Sequence, residues 1–391
     1  MTRLLFCWEL GANFGHLSTI AAMRPALEAA GFELAFAVAD LKAARQMLGE
    51  GARIYQAPVW PRYAYQGGRV GLASFADVLT LVGFGDADNL AAVTDAWLAL
   101  FALADPRVLI ADHSPAAQIA ANVAHLKLVT IGTGFTLPPL EFPEFPPLRA
   151  DIAPAIPERQ LLKTTNAVLA RHGTASPVQT LPALFRADAR IVVGLPELDP
   201  YRSFRREGIM APPGGFPAIG PAEPIRLFAY LGAELPQLES RVQSLCDLPI
   251  PVELYIRGAN PMLLEFIRLR EKTPHATPAN MGEVLGRCTH VLSQGGAMTA
   301  SMALAAGRPH LMLPLHDETR LNASLVTRFA AGIEADAHAD AAQFIAGLRR
   351  FLADQDLGER ARNAGSLLAA RPLPDSGVEM LKALKTLTST R

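Results

Sequence analysis

A histidine in a glycine loop and an aspartate at the end of an apolar run are the residues best placed to do chemistry. The loop Gly11-Ala12-Asn13-Phe14-Gly15-His16-Leu17 directly follows the apolar run Leu4–Trp8. Glycines let a backbone turn tightly and approach a ligand. At the start of the next helix, a neutral His16 imidazole is a candidate general base; the bland reading is a helix-start histidine satisfied by backbone. Asp112 follows the run Val108–Ala111. It either caps the helix that begins near Pro115 or holds one nitrogen of His16, which would fix the tautomer and stabilise the charged ring. His113 is adjacent, but neighbouring residues on a strand end point apart, so it reads as a bystander. The sequence has no G-x-S-x-G elbow, which argues against a serine hydrolase.

Two loops in the second half concentrate polar and glycine residues. His290-Val291-Leu292-Ser293-Gln294-Gly295-Gly296-Ala297-Met298-Thr299 runs from a strand through a double glycine into a helix predicted over Met298–Ala306, with Gly307 as its stop. Free N–H groups and the positive dipole end there make a phosphate site, or the loop is a plain strand-to-helix turn. No P-loop lysine follows, so a Walker-type nucleoside triphosphatase is excluded. Met298 and Met302 are four apart and read as core packing. The second loop, Pro314–Ala323, carries His316, Asp317, Glu318, Thr319, Arg320 and Asn322. Carboxylates at a strand end suit a hydroxyl-rich ligand, since an ionised oxygen accepts several hydrogen bonds; the plainer role is a solvated helix cap.

Loops like these need strands to hold them. Short apolar runs at Leu4–Trp8, Leu34–Val38, Val108–Ala111, Leu128–Ile131 and Ile191–Val193 read as strands of the first half. Arg226–Leu231, Val252–Ile256, His290–Ser293 and His310–Leu313 read as strands of the second. Helical patterns lie between them, the first over Ser18–Ala30 with Gly31 as stop. This alternation predicts an α/β protein made of two Rossmann-like, doubly wound domains facing a cleft, with ligands at the carboxyl ends of the strands. The first loop lacks the G-x-G-x-x-G spacing, which disfavours a dinucleotide-binding domain. Gly194–Pro224 holds seven prolines and five glycines and reads as an interdomain linker. The expected divisions are an acceptor-binding domain over 1–200, a linker over 201–224, and a donor-binding domain with C-terminal helices over 225–391. A second proline-rich stretch, Leu137–Gln160, is either a surface loop with apolar anchors or a wall over a pocket.

Composition narrows the classes. The chain has 391 residues, 50% hydrophobic and 19% charged, with a net charge of -1. That is core-rich against about 25% charge in typical domains, and it excludes a disordered chain. The balanced charge argues against a nucleic-acid partner. Cys7, Cys246 and Cys288 are far apart and odd in number, so neither a disulfide framework nor a metal site is expected. No apolar stretch is long enough to predict an integral membrane span. Met1–Trp8 is interrupted by Glu9 and Gly11 too soon for a signal-peptide core and reads as a buried strand. A cytoplasmic location is expected.

At these residues the sequence resembles the two-domain GT-B glycosyltransferases, most closely the bacterial and plant nucleotide-sugar-dependent (UDP-glycosyltransferase-like) enzymes that glycosylate small molecules. Gly15-His16-Leu17 resembles the family's G-H-x-x-P opening, and Leu109-Ile110-Ala111-Asp112 its strand ending in aspartate. Asp188–Pro200 resembles the stretch before the family's linker. Gly295–Pro309 with Pro314–Ala323 resembles the donor signature H-G-G-x-G-T-x-x-E-A-L-x-x-G-x-P followed by P-x-x-x-D-Q-x-x-N-A.

The resemblance implies an inverting, metal-independent hexosyltransferase with no cofactor beyond its nucleotide-sugar co-substrate. His16 would be the base that deprotonates the acceptor and Asp112 its orienting partner. Gly232, Gln294, Gly295, Gly296, Met298 and Thr299 would line the donor phosphates, with Glu318 and Thr319 at the sugar. Gly15, Trp60, Tyr63, Tyr65 and Phe135 would meet a small, apolar, aromatic or lipid-like acceptor. The sequence departs from the signature at Gln294 for histidine, Met298 for glycine and Met302 for glutamate, and Ala233 stands where a hydroxyl residue is common. These departures keep two alternatives open: a non-catalytic binding protein with a degenerate donor site, and a GT-B nucleotide-sugar epimerase.

Overall fold

The computed structural model describes residues 2–11, 14–61, 71–174 and 176–389. The chain divides into two compact units. One comprises Met1–Gly214 with Pro374–Arg391, the other Gly215–Leu373.

The first unit is built on seven parallel strands: β1 (Thr2–Trp8), β2 (Phe32–Val38), β3 (Arg53–Gln56), β4 (Val108–Asp112), β5 (Lys127–Gly132), β6 (Ala189–Val193) and β7 (Ile209–Met210). Their spatial order is β3-β2-β1-β4-β5-β6-β7. The chain direction across the sheet reverses between β1 and β4, which is the switch point where doubly wound sheets bind ligands. In register, Trp8 lies opposite Asp112 there. The connecting helices are α1 (Phe14–Ala29), α2 (Leu41–Leu48), α3 (Phe75–Val82), α4 (Ala87–Ala104), α5 (Pro115–Val123) and α6 (Glu158–Arg171). Both sheet faces are covered, so β1 and β4 are continuously apolar rather than alternating. Leu5, Cys7, Leu109 and Ala111 pack under α4 and α5 through Val93, Trp97, Phe101 and Ala120. Among the described residues, α4 is the one helix long and apolar enough to cross a membrane; its Leu90, Val93, Trp97 and Phe101 are buried at helical spacing.

The second unit repeats the plan with six parallel strands: β8 (Leu227–Gly232), β9 (Val252–Arg257), β10 (Thr273–His275), β11 (His290–Ser293), β12 (His310–Met312) and β13 (Gly332–Glu334). The order β10-β9-β8-β11-β12-β13 puts its switch point between β8 and β11. Its helices are α7 (Leu238–Cys246), α8 (Pro261–Leu269), α9 (Met281–Arg287), α10 (Ala297–Ala305), α11 (Asp317–Arg328), α12 (Ala341–Ala353) and α13 (Gln355–Ala369).

Two boundaries differ from the sequence reading. The proline-rich stretch after β6 does not run free from residue 201: as far as Gly214 it folds onto the first unit. Arg205 holds it there, pairing with Asp199 at 2.5 Å and Glu207 at 2.6 Å and donating to the carbonyls of Gly134 and Leu137. The last helix, α14 (Ser376–Ser389), expected in the second domain, belongs to the first unit. It packs on α1 and on β4, β5 and β6 and buries Met380 and Leu384 completely. Asp375 starts it, accepting from the backbone N–H groups of Gly214, Gly377 and Val378.

Candidate functional site

At the first switch point, the helix after β1 begins at Phe14, which puts His16 in its opening turn. His16 Nδ1 lies 2.9 Å from Asp112 Oδ1. The carboxylate is buried and takes the Nδ1–H, so Nε2 carries the lone pair and is the basic nitrogen. The fully buried Trp8 stacks against the His16 ring, with centroids 5.4 Å apart and planes at 24°. Gly132 on β5 makes the room that these side chains occupy, since a Cβ there would lie 3.4 Å from Asp112 Oδ1 and clash with Thr136 Oγ1. His16, Asp112 and Trp8 are thus held together at two neighbouring strand ends.

His113 does not point away as expected. Its φ is +45°, a left-handed conformation that turns the ring back toward His16, 5.8 Å between centroids. Burial, and secondarily the charge of His16, push its pKa down to about 3, so it stays neutral. From His113 an aromatic run continues through Phe75 to Phe145 in the proline-rich loop, at centroid spacings of 6.4 and 5.3 Å. Leu140 and Phe145 are buried with Phe84 and Phe185, so that loop is anchored by apolar residues. Its outer side forms a cavity of about 470 Å³ lined by Phe142, Pro143, Pro146, Pro147 and Phe204 among others.

Glu9, read in the sequence only as a break in an apolar run, is buried at the same strand end. It accepts from Trp60 Nε1, from Trp97 Nε1 at 3.1 Å, and from the Ala116 and Ala117 N–H groups that open α5. Burial raises it to about 7 against these donors. Its signal in sequence was only an acid directly after an apolar strand; that Ser114 leaves α5 without a side-chain cap shows in the structure alone.

In the second unit, Gly296 is the N-cap of α10 and no side-chain cap bond closes it, so the first N–H groups have no capping side chain among the described residues. Gly295 turns the chain with φ +82°, and the loop is pinned by Ser293 Oγ, which accepts from Gly295 N, and by Asn322 Nδ2, which donates to Gly295 O. Beside it, the Glu234 carboxylate folds over the bare Cα of Gly232. One of its oxygens accepts from Arg257 at 2.5 Å and from Gln294 Nε2 at 3.2 Å. Arg257 is opposite Gly232 in the β8–β9 register, so a cation stands at the strand ends where the sequence reading had identified none.

The remaining expected residues divide. Gly15 has open space where a side chain would be, and Thr299 lies half-buried in the first turn of α10. Met298 and Met302 are half-buried on α10 rather than core residues; Ala300, Ser301, Ala303 and Leu304 form its buried side. Glu318 is half-buried in the first turn of α11, whereas Thr319 is buried and its hydroxyl is spent on His316 N and O at the helix start. Trp60 is half-buried and packs on Phe84 at 5.4 Å. Phe135 is only 3% exposed and belongs to the interior, so it presents no acceptor surface. Tyr63 and Tyr65 lie outside the described residues.

Residues 270–384 match the family of the erythromycin biosynthesis protein CIII-like C-terminal domain. No curated protein matches the sequence. Among solved structures, the chain is similar to the spinosyn rhamnosyltransferase SpnG, at 18% identity and TM-score 0.64 over 100% of both chains. It is similar to the calicheamicin glycosyltransferase CalG4, at 18% identity and TM-score 0.67, over 100% of this chain and 98% of the other. SnogD from Streptomyces nogalater matches at 19% identity and TM-score 0.62, over 100% and 99%. SpnG has also been solved with thymidine diphosphate and with the spinosyn aglycone. These likenesses establish the fold, GT-B: two doubly wound α/β domains.

Proposed function

We propose that this GT-B chain transfers a sugar from a nucleoside diphosphate sugar to a hydroxyl of a small, apolar or aromatic acceptor, with inversion at the anomeric carbon. The observation that carries the reading is the 2.9 Å pairing of His16 with Asp112 at the switch point of the first sheet. The acceptor oxygen attacks the anomeric carbon, the bond from that carbon to the diphosphate breaks, and its electrons leave on the diphosphate oxygen. The acceptor proton passes to His16 Nε2, and Asp112 stabilises the resulting imidazolium. The open apolar cavity on the proline-rich loop, lined by Phe142, Pro146, Pro147 and Phe204, supports an apolar acceptor.

The diphosphate is assigned to the second unit, at the open start of α10. Glu234 stands beside that place and would repel it. Donor binding therefore moves Glu234 aside and frees Arg257 and Gln294 to hold phosphate oxygens. Gln294 brings a hydrogen bond but no charge, and Arg257 supplies the charge. The nucleotide sugar is a co-substrate, and the reaction as written calls on no further cofactor.

The same Glu234 contact favours one alternative, a binding protein that has given up its donor. Two measurements separate the readings. Thermal shift against UDP, dTDP, GDP and their sugars is expected to raise Tm with one base, since a ligand of the folded state stabilises by mass action. With that donor, His16→Ala is expected to lower kcat about 10²–10⁴-fold while donor Kd stays put. A well-folded protein that answers to none of the nucleotides is the binding protein instead.

A further inference from the structure

We propose that His113 is a second acceptor-binding residue, holding an oxygen adjacent to the hydroxyl that His16 deprotonates. The proposal rests on the transfer reading above and narrows its substrate class to acceptors with two neighbouring oxygens: a catechol, a vicinal diol or a β-hydroxy ketone.

Three observations carry it. The first is backbone strain. His113 is not glycine, yet its φ is +45°. Left-handed backbone is disfavoured for a residue with a Cβ and persists where the surroundings or a function require it. The loop holds it there through the Leu10 N–H, which donates to the His113 carbonyl at 3.0 Å. An ordinary extended residue after Asp112 would send this side chain elsewhere.

The second is an unmet polar group. His113 is 8% exposed, and its Nε2 has no hydrogen-bond partner among the described residues. Its ring neighbours are His16 and Phe75, which offer no compensation on the Phe75 side. Buried imidazoles kept for packing alone are normally satisfied.

The third is convergence. A side chain at Gly11 would begin 3.1 Å from His16 Nε2 and 3.7 Å from His113 Nδ1. Among the described residues the two nitrogens thus face the same stretch of backbone, where Gly11, with φ +88°, has no side chain of its own. One nitrogen is the base. The other is Nδ1 of a ring that burial keeps neutral; with its buried Nε2 unpartnered, the single ring proton is better placed on Nδ1, which can donate it without competing for the transferred proton. Two imidazole nitrogens on one small patch suit two oxygens on one small group.

The test uses the full chain, the donor that the thermal shift identifies, and two probes: the catechol and monophenol forms of one aromatic skeleton. Wild type is expected to favour the catechol about tenfold in KM. His113→Gly accepts the backbone conformation and removes the ring; it is expected to bring the KM ratio near one and to leave the pH dependence of kcat unchanged. His113→Asn also tolerates left-handed backbone and keeps a donor and an acceptor, so it is expected to retain part of the preference. It also serves if the glycine variant fails to fold. A merely structural histidine would change Tm and leave the KM ratio intact. Equal KM for both probes in wild type, or a catechol preference that survives in both variants, overturns the proposal and leaves the transfer reading standing. No transfer to either probe overturns both.

Discussion

Trp8 and Asp112 are register partners across β1 and β4, so the ring that stacks on His16 and the carboxylate that pairs with it stand side by side at two neighbouring strand ends. Neither can be displaced without disturbing the central strands. Asp112→Asn should therefore keep the His16 ring in place while removing the charge and adding an NH2 donor that can turn to His16 Nδ1 and favour the other tautomer. The expected result is a fall in kcat of about 10²–10⁴-fold with little change in donor Kd. Turnover within a few-fold of wild type would show that Asp112 is only a helix-start residue.

The donor side makes predictions of opposite sign. Glu234→Gln removes a carboxylate that shares space with the assigned diphosphate; Arg257→Met removes the cation that would replace it. For groups as exposed as these, about 0.2–1 kcal/mol is expected, or up to about fivefold in Kd. Calorimetry with dTDP or UDP should show tighter binding in the first variant and weaker binding in the second. The contrast should shrink at high salt, since the effect is electrostatic. Parallel changes of one sign would mean that the pair merely steadies the β8 and β9 strand ends.

Glu9 ties pH to stability. Its carboxyl is raised from an ordinary 4.5 to about 7 by burial. Between those values the folded chain holds a proton that the unfolded chain has released, so this group's contribution falls as pH rises through that window. At about 1.4 kcal/mol per unit, its share is on the order of 3 kcal/mol. Urea unfolding at pH 5 and pH 7 should show the loss in wild type. Glu9→Gln should flatten it, at a stability cost that does not vary with pH, because an amide meets four N–H donors poorly. An unchanged slope would assign the pH dependence elsewhere, Glu158, raised to about 8 by burial, being the first candidate.

Much of this fold was legible because both sheets are parallel and buried on both faces. Their central strands are therefore apolar runs that stand out from the loops. The edge strands β3, β7, β10 and β13 are two to four residues long, too short to show such a run, and were passed over. His16 and Asp112 could be read as a pair because each follows a central strand. His113 could not, since its orientation depends on a left-handed φ that nothing in Asp-His-Ser-Pro announces. Glu234 and Arg257 were hidden for a related reason. They are 23 residues apart and meet only because β8 and β9 are neighbours. Phe135 looked like a pocket aromatic because composition cannot separate an interior ring from a lining one.

The stretch taken for a free linker shows how a proline-rich segment is held without regular structure, and Arg205 carries that load. The Arg205 and Asp199 side chains are 3% and 1% exposed, so the pair is buried, and the guanidinium also satisfies two carbonyls from the β5–α6 connection. Removing one partner leaves a buried charge and two orphaned carbonyls. Arg205→Met should destabilise the first unit by about 3–5 kcal/mol in urea unfolding. The double variant Asp199→Asn with Arg205→Met should recover part of that loss, because no charge is then left unpaired. If the two substitutions simply add, the stretch is held by its buried Tyr201 and Leu198 instead, and the ion pair follows from the packing rather than causing it.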